Sequence, residues 1–184
     1  MRIKQLVLTA LFAALTAIGA FLKIQIPVEG IPAITLQFFF TAMAGVLLGA
    51  KYGAISQAVY VLLGLVGLPI FTMGGGFSYV LQPSFGFLVG LIPSAWVIGT
   101  LCKNAKSFWP MALGILAGLA VLYLIGTPYM GLILNLYLGK GMSVWQIVRA
   151  GCLLYLPGDV LKIVVCTALC LALRSRLPKA LAAA

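Results

Sequence analysis

Apolar residues run along this chain in blocks too long and unbroken for the half-buried helices or alternating strands of a soluble domain. No charged residue interrupts residues 5–22, 30–50, 52–102 or 107–139. A helix needs roughly 20 residues to cross a hydrocarbon core, so each block suffices and the longest accommodates two crossings. Glycine and proline supply the breaks. Pro27 and Pro32 interrupt the first connection, Pro69 closes one apolar block, Pro83 precedes the next, and Pro128 and Pro157 bracket the last connection. The pattern predicts an all-α integral membrane protein of six spans, near residues 5–22, 33–50, 53–69, 84–102, 108–126 and 152–173. They form one domain over residues 1–184, with no polar linker to divide it, and residues 129–138 either prolong the fifth span or dip back towards the membrane.

Composition sharpens this picture: 64% of the 184 residues are hydrophobic and 8% charged, against roughly a quarter charged in a soluble domain. A net charge of +10 raises nucleic acid as a partner, but the basic residues cap apolar blocks instead of forming a stripe with interleaved aromatics. They read as topology. A cytoplasmic N-terminus puts eight of them inside, namely Arg2, Lys4, Lys51, Lys103, Lys106, Arg174, Arg176 and Lys179, and three outside, Lys23, Lys140 and Arg149. Both termini of this multi-pass protein of the cell membrane are then cytoplasmic. Met1-Arg-Ile-Lys4 before an apolar run also resembles a secretory leader, but the run continues to Leu22 and more spans follow, so a retained first helix is simpler. Residues 23–33, 69–83 and 128–149 become long outer connections, where a ligand site is expected.

Material for chemistry is sparse. The chain has no histidine, two acids (Glu29 and Asp159), and four cysteines, Cys102, Cys152, Cys166 and Cys170, without a Cys-x-x-Cys pair. This argues against a zinc site and against an acid–base enzyme. No G-x-x-x-x-G-K-[ST] loop is present, so the chain shows no means of using ATP itself.

Asp159 and Lys162 stand out. At i, i+3 early in the last span they share a helix face, and a charge at mid-membrane costs about 2.5 to 3.5 kcal/mol on insertion scales. Such a pair is a candidate binding site, although a salt bridge that pins the helix start is the plainer reading. Gly74, Gly75 and Gly76, followed by Phe77 and Tyr79, could bring backbone N–H groups close to a ligand or make a flexible turn. Gln37, Gln57 and Asn135 could read a polar ligand or tie helices together. Tyr60, Phe77, Tyr79, Phe85 and Phe87 could wall an apolar ring or belong to interfacial belts. On the first helix Ala10 and Ala14, and displaced by three Ala13 and Ala17, make small-residue stripes that allow close approach of another helix, from this chain or a partner.

Four ordered blocks give the chain a family resemblance. They are Ile34-Thr-Leu-Gln37; Leu48-Gly-x-x-x-Gly53 running on to Tyr60-Val-Leu-Leu-Gly-Leu-Val-Gly-Leu-Pro69; the glycine cluster before Pro83-Ser84; and Leu156-Pro-Gly-Asp159-x-x-Lys162. Over nearly its whole length the chain resembles the BioY family, the biotin-specific substrate-capture (S) components of energy-coupling-factor (ECF) transporters. The resemblance implies a six-helix subunit that takes biotin near the outer face. It also implies a transmembrane coupling protein, docked on the alanine stripe, and two cytoplasmic ATPases that supply the energy. Asp159 and Lys162 are supported as site residues, ahead of Tyr79, Gln57, Gln82, Gln37 and the glycine loop with Phe77. No cofactor is implied. The chain departs from the family pattern at Ala50-Lys51 and at Ser84-Phe-Gly-Phe87, where many members carry a tyrosine in place of Phe87. A stand-alone secondary carrier is the alternative, though the two halves show no convincing repeat of the kind such carriers have.

Overall fold

Leucine, alanine and valine without a proline for 19 residues make the first helix, α1, Ile3–Phe21. The computed structural model describes residues 3–25 and 31–176; Glu29, Pro27, Arg2 and Lys179 fall outside them. Phe12, Ala13, Thr16 and Ala20 of α1 turn inward, while Leu6, Val7, Leu11 and Ile18 are exposed. Apolar side chains facing hydrocarbon gain nothing from burial, so this distribution suits a lipid-facing helix.

After α1 the chain forms a two-residue strand, β1 (Lys23–Ile24), paired antiparallel with β2 (Ile34–Thr35). Helix α2 spans Gln37–Leu65 but is broken at Gly49, with φ 78° and ψ 177°. Residues with a side chain avoid that conformation, and the chain reverses there. Gln37 Nε2 donates to the Tyr60 hydroxyl at 2.8 Å and Thr41 Oγ1 to Gln57 Oε1 at 2.9 Å, and a Cβ added to Gly53 would sit 3.0 Å from Gly45 Cα. In a straight helix Gln37 and Tyr60 would be about 35 Å apart at 1.5 Å per residue. Residues 37–48 and 50–65 are therefore two antiparallel arms, and the glycines let them touch.

A 3₁₀ turn at Phe77–Leu81 leads to α3 (Phe85–Leu101). Helix α4 (Phe108–Leu132) runs on through a π turn at Ile133–Tyr137. A short α5 (Val144–Val148) and a second π turn at Arg149–Leu153 precede α6 (Leu156–Arg176). Two expectations change here. Pro128 lies inside α4 rather than in a connection, since a proline removes one helical hydrogen bond whereas unwinding would free several backbone groups among apolar neighbours. The third outer connection is correspondingly short, because helix occupies most of residues 128–149. Pro157 sits in the first turn of α6, where its missing N–H has no helical partner to lose.

Among the described residues four helical stretches are long and apolar enough to cross a membrane: Ile3–Phe21, Phe108–Tyr137, Val144–Arg176 and, counted across its break at Gly49, Gln37–Leu65. Helix α2 packs on α1 and α3, α3 on α4, and α6 closes against α2 and α4. Gln57, wholly buried, binds the inner seam: its Oε1 accepts from Thr16 at 3.3 Å and Thr41 at 2.9 Å, and its Nε2 donates to Ser56 Oγ at 3.0 Å. Cys166 and Cys170 place their sulfurs 3.9 Å apart in the core, and no cluster among the described residues could hold a metal.

Arg174 closes the end of the bundle away from β1 and β2. Its guanidinium donates to the carbonyls of Cys102 at 2.8 Å, Ala105 at 3.1 Å and Val46 at 2.5 Å, oxygens left over where α3 and the first arm of α2 end. Hydrogen bonds to a charged group contribute about 1.5 to 3 kcal/mol each, not additively. Arg174→Met is thus expected to lower the melting temperature in detergent clearly, with Arg174→Lys recovering only part because an ammonium cannot span three acceptors. Identical melting of the methionine variant would mean that the guanidinium contributes nothing.

Candidate functional site

Between β2 and α2 on one side and α3, α4 and α6 on the other, the chain encloses a cavity of about 640 Å³, its open mouth included. Phe38, Phe87, Leu88, Leu91 and Leu122 give it apolar walls. Polar groups enter from two clusters.

The first cluster belongs to α4 and α6. Tyr155, in the turn just before α6, and Asp159 and Lys162 within it follow one another at i, i+4 and i+7, a helical spacing that shares one face, and all three line the cavity. Asp159 is 4% exposed. Its Oδ1 accepts from Lys162 Nζ at 2.7 Å, and its Oδ2 accepts from the Tyr123 hydroxyl, which α4 brings across. The position in the first turn of a helix further favours a carboxylate. Tyr155 donates to the carbonyl of Pro32 at 2.5 Å and so fastens the segment before β2 to α6.

Burying two charges is tolerable only when each is paired and hydrogen-bonded. Asp159 meets that condition through two partners. Lys162 has three donors, and among the described residues one bond, to Asp159, engages them. The wall therefore offers unused ammonium N–H groups beside a carboxylate, a neutral but strongly polar face.

The second cluster comes from β2, the first arm of α2 and the connection into α3. Thr35 Oγ1 donates to Gln37 Oε1 at 3.0 Å, and Gln37 in turn reaches Tyr60, whose hydroxyl donates to the Ile70 carbonyl at 3.1 Å. The Tyr79 hydroxyl sits between Thr72 Oγ1 at 2.8 Å and Ser84 Oγ at 3.2 Å. Thr35, Gln37, Thr72, Tyr79 and Ser84 all line the cavity.

Of the residues expected from sequence, Asp159, Lys162, Tyr79 and Gln37 come together at this cavity. Gln57, Gln82, Gly74, Gly75, Gly76 and Phe77 are not among its lining. Gln57 is committed to helix packing, Phe77 is 79% exposed, and the backbone N–H of Gln82 closes the 3₁₀ turn onto Tyr79 O at 2.9 Å. The glycines hold the loop against α2. Gly74 and Gly76 take φ of 115° and 103°, Gly76 donates its N–H to Gly64 O at 2.7 Å, and a Cβ on Gly75 would lie 2.0 Å from Leu68 O. They act at one remove, aiming Thr72 and Tyr79 inward. Asn135 bonds the backbone of Met142 at 2.7 and 2.8 Å and ties off the turn before α5. On α1, Ala10 and Ala14 are exposed, Ala13 is buried and Ala17 half-buried, so the two displaced stripes face different ways.

Sequence reasoning missed Tyr123, Tyr155, Thr35, Thr72 and Ser84. Tyr155 had a usable signal, four residues before Asp159 on the same face. Tyr123 had none, because a tyrosine in a long apolar block reads equally well as lipid-facing.

The family model for the BioY family matches residues 1–179. A probable biotin transporter BioY of Lysinibacillus sphaericus is 46% identical over 140 residues, 75% of this chain and 70% of the relative. The biotin transporter BioY of Thermotoga maritima is 36% identical over 173 residues, 93% and 96% of the two chains. The crystal structure of the S-component for biotin from an ECF-type ABC transporter superposes with a TM-score of 0.82 at 27% identity, covering 95% of this chain and 93% of that one.

Proposed function

The chain belongs to the BioY family, and on that premise we propose that it is the biotin-binding S component of an ECF-type transporter, a multi-pass membrane protein that captures the vitamin and does no covalent chemistry on it. One observation carries the assignment of the site: Asp159 and Lys162, with Tyr123, form a charged wall of a cavity whose other lining is apolar or neutral polar. Biotin has a ureido ring with two N–H donors and one carbonyl, an apolar thioether ring, and a carboxylate at the end of an alkyl chain. Asp159 accepts from the ureido N–H groups and Lys162 donates to the ligand's oxygen, while Phe38, Phe87 and Leu122 hold the ring system. Gln37 and Tyr79 bind from the second cluster, with the glycine loop in support.

The reversal at Gly49 favours six crossings, made by α1, the two arms of α2, α3, α4 and α6, in a single domain. The bias of Lys and Arg favours cytoplasmic termini. On this orientation Ala10 and Ala14 present a small-residue strip to a transmembrane coupling protein, which in turn works with two ATPases.

Calorimetric titration of the purified chain with biotin is expected to show saturable one-to-one binding. Vesicles holding this chain alone should then fail to accumulate biotin, and those with the coupling protein and ATPases should accumulate it only with ATP. Accumulation by the chain alone would replace the S-component reading with a secondary carrier.

A further inference from the structure

We infer that Lys23 is the residue that reads the ligand's carboxylate and so sets a preference for the free acid over neutral amides; the inference rests on the biotin reading above. Two independent contacts place Lys23 at the cavity rim. In the β ladder it is the direct partner of Thr35, a lining residue, and directly paired residues of an antiparallel ladder put their side chains on the same face. Its ammonium also donates to the backbone carbonyl of Thr72, which lines the cavity as well.

Electrostatics selects Lys23 over Lys162 for this role. Lys162 is already matched by Asp159, so a carboxylate brought to that wall meets a neutral pair, whose ammonium is compensated and whose carboxylate repels it. Among the described residues no acid is paired with Lys23. Asp159 is the sole acid among the described residues, it holds Lys162, and Lys23 is bonded to a carbonyl instead. An ammonium has three donors, so Lys23 can retain Thr72 while engaging an anion, and its exposure suits a residue at a mouth. The ligand then enters with its ureido end towards Asp159 and its carboxylate last. The plainer reading, that Lys23 only pins the segment after α1 to the one after α2, predicts no dependence on ligand charge.

The test compares biotin with biotinamide, its neutral amide, on the detergent-purified full chain and on Lys23→Gln and Lys23→Arg. A charge-assisted hydrogen bond is roughly twice as strong as a neutral one, and the expected effects are about tenfold. Wild type should bind biotin about tenfold more tightly than biotinamide, a gap that narrows with added salt. Lys23→Gln should lose that factor for biotin and keep its affinity for biotinamide, which also certifies the fold, and Lys23→Arg should retain the preference. Equal weakening towards both ligands, or an undiminished preference in the glutamine variant, overturns the inference. Failure of wild type to bind either ligand would instead overturn the biotin reading itself.

Discussion

Asp159→Ala is expected to reduce biotin affinity by about 30-fold at the least and about 4,000-fold at the most. The range follows from the 2 to 5 kcal/mol lost when one partner of a buried, hydrogen-bonded polar contact is removed, at about 1.4 kcal/mol per decade. The loss has two parts. The ureido donors lose their acceptor, and Lys162 becomes a buried cation with no counter-ion. Asp159→Asn separates them, because an amide keeps one acceptor oxygen and loses the charge, so its affinity should fall between wild type and Asp159→Ala. Calorimetry on variants shown to be folded by their melting curves checks this. Full affinity in the asparagine variant would remove the carboxylate from the recognition scheme.

The second large effect concerns stability. Lys162→Met leaves the Asp159 carboxylate buried with Tyr123 as its remaining partner, and stranding one half of a buried ion pair costs about 3 to 5 kcal/mol. The double variant Asp159→Leu with Lys162→Met removes both charges, and apolar replacements of buried pairs are often neutral or stabilising. Thermal or denaturant unfolding should therefore rank the double variant at or above wild type and far above Lys162→Met alone. Biotin binding should be lost in both. If the double variant were as unstable as the single one, the pair would be a structural rivet and the site assignment would lose its physical basis.

Which parts could be read from sequence depends on how local the information is. Asp159 and Lys162 were legible because charge in an apolar block is conspicuous and both lie within one turn of one helix. The boundary beside Lys51 was legible because a charge interrupts the apolar run there, and the one at Pro83 because proline acts on its own backbone. Gln57 was not separable from Gln37 in this way. Both are amides in apolar helices, and only the packing of Thr16 and Thr41 against Gln57 makes one a strut while the other faces the cavity. Tyr123 meets Asp159 across 36 residues of chain, a relation no spacing encodes. The glycine loop misled for a related reason: its conformational freedom was visible, but the close approach of Gly75 to Leu68 that consumes it was not. Pro128 shows the reverse case, where a strong local breaker is overruled because an apolar setting makes unwinding costlier than one missing hydrogen bond.

The proposal that the buried charges of α6 hold a polar guest is tested most directly by a crystal structure of the chain grown with biotin. The bicyclic ring is expected in the cavity, with its ureido nitrogens within about 3 Å of the Asp159 carboxylate and the alkyl chain running towards Lys23. Biotin bound elsewhere, with Asp159 and Lys162 still engaged only with each other and Tyr123, would contradict it.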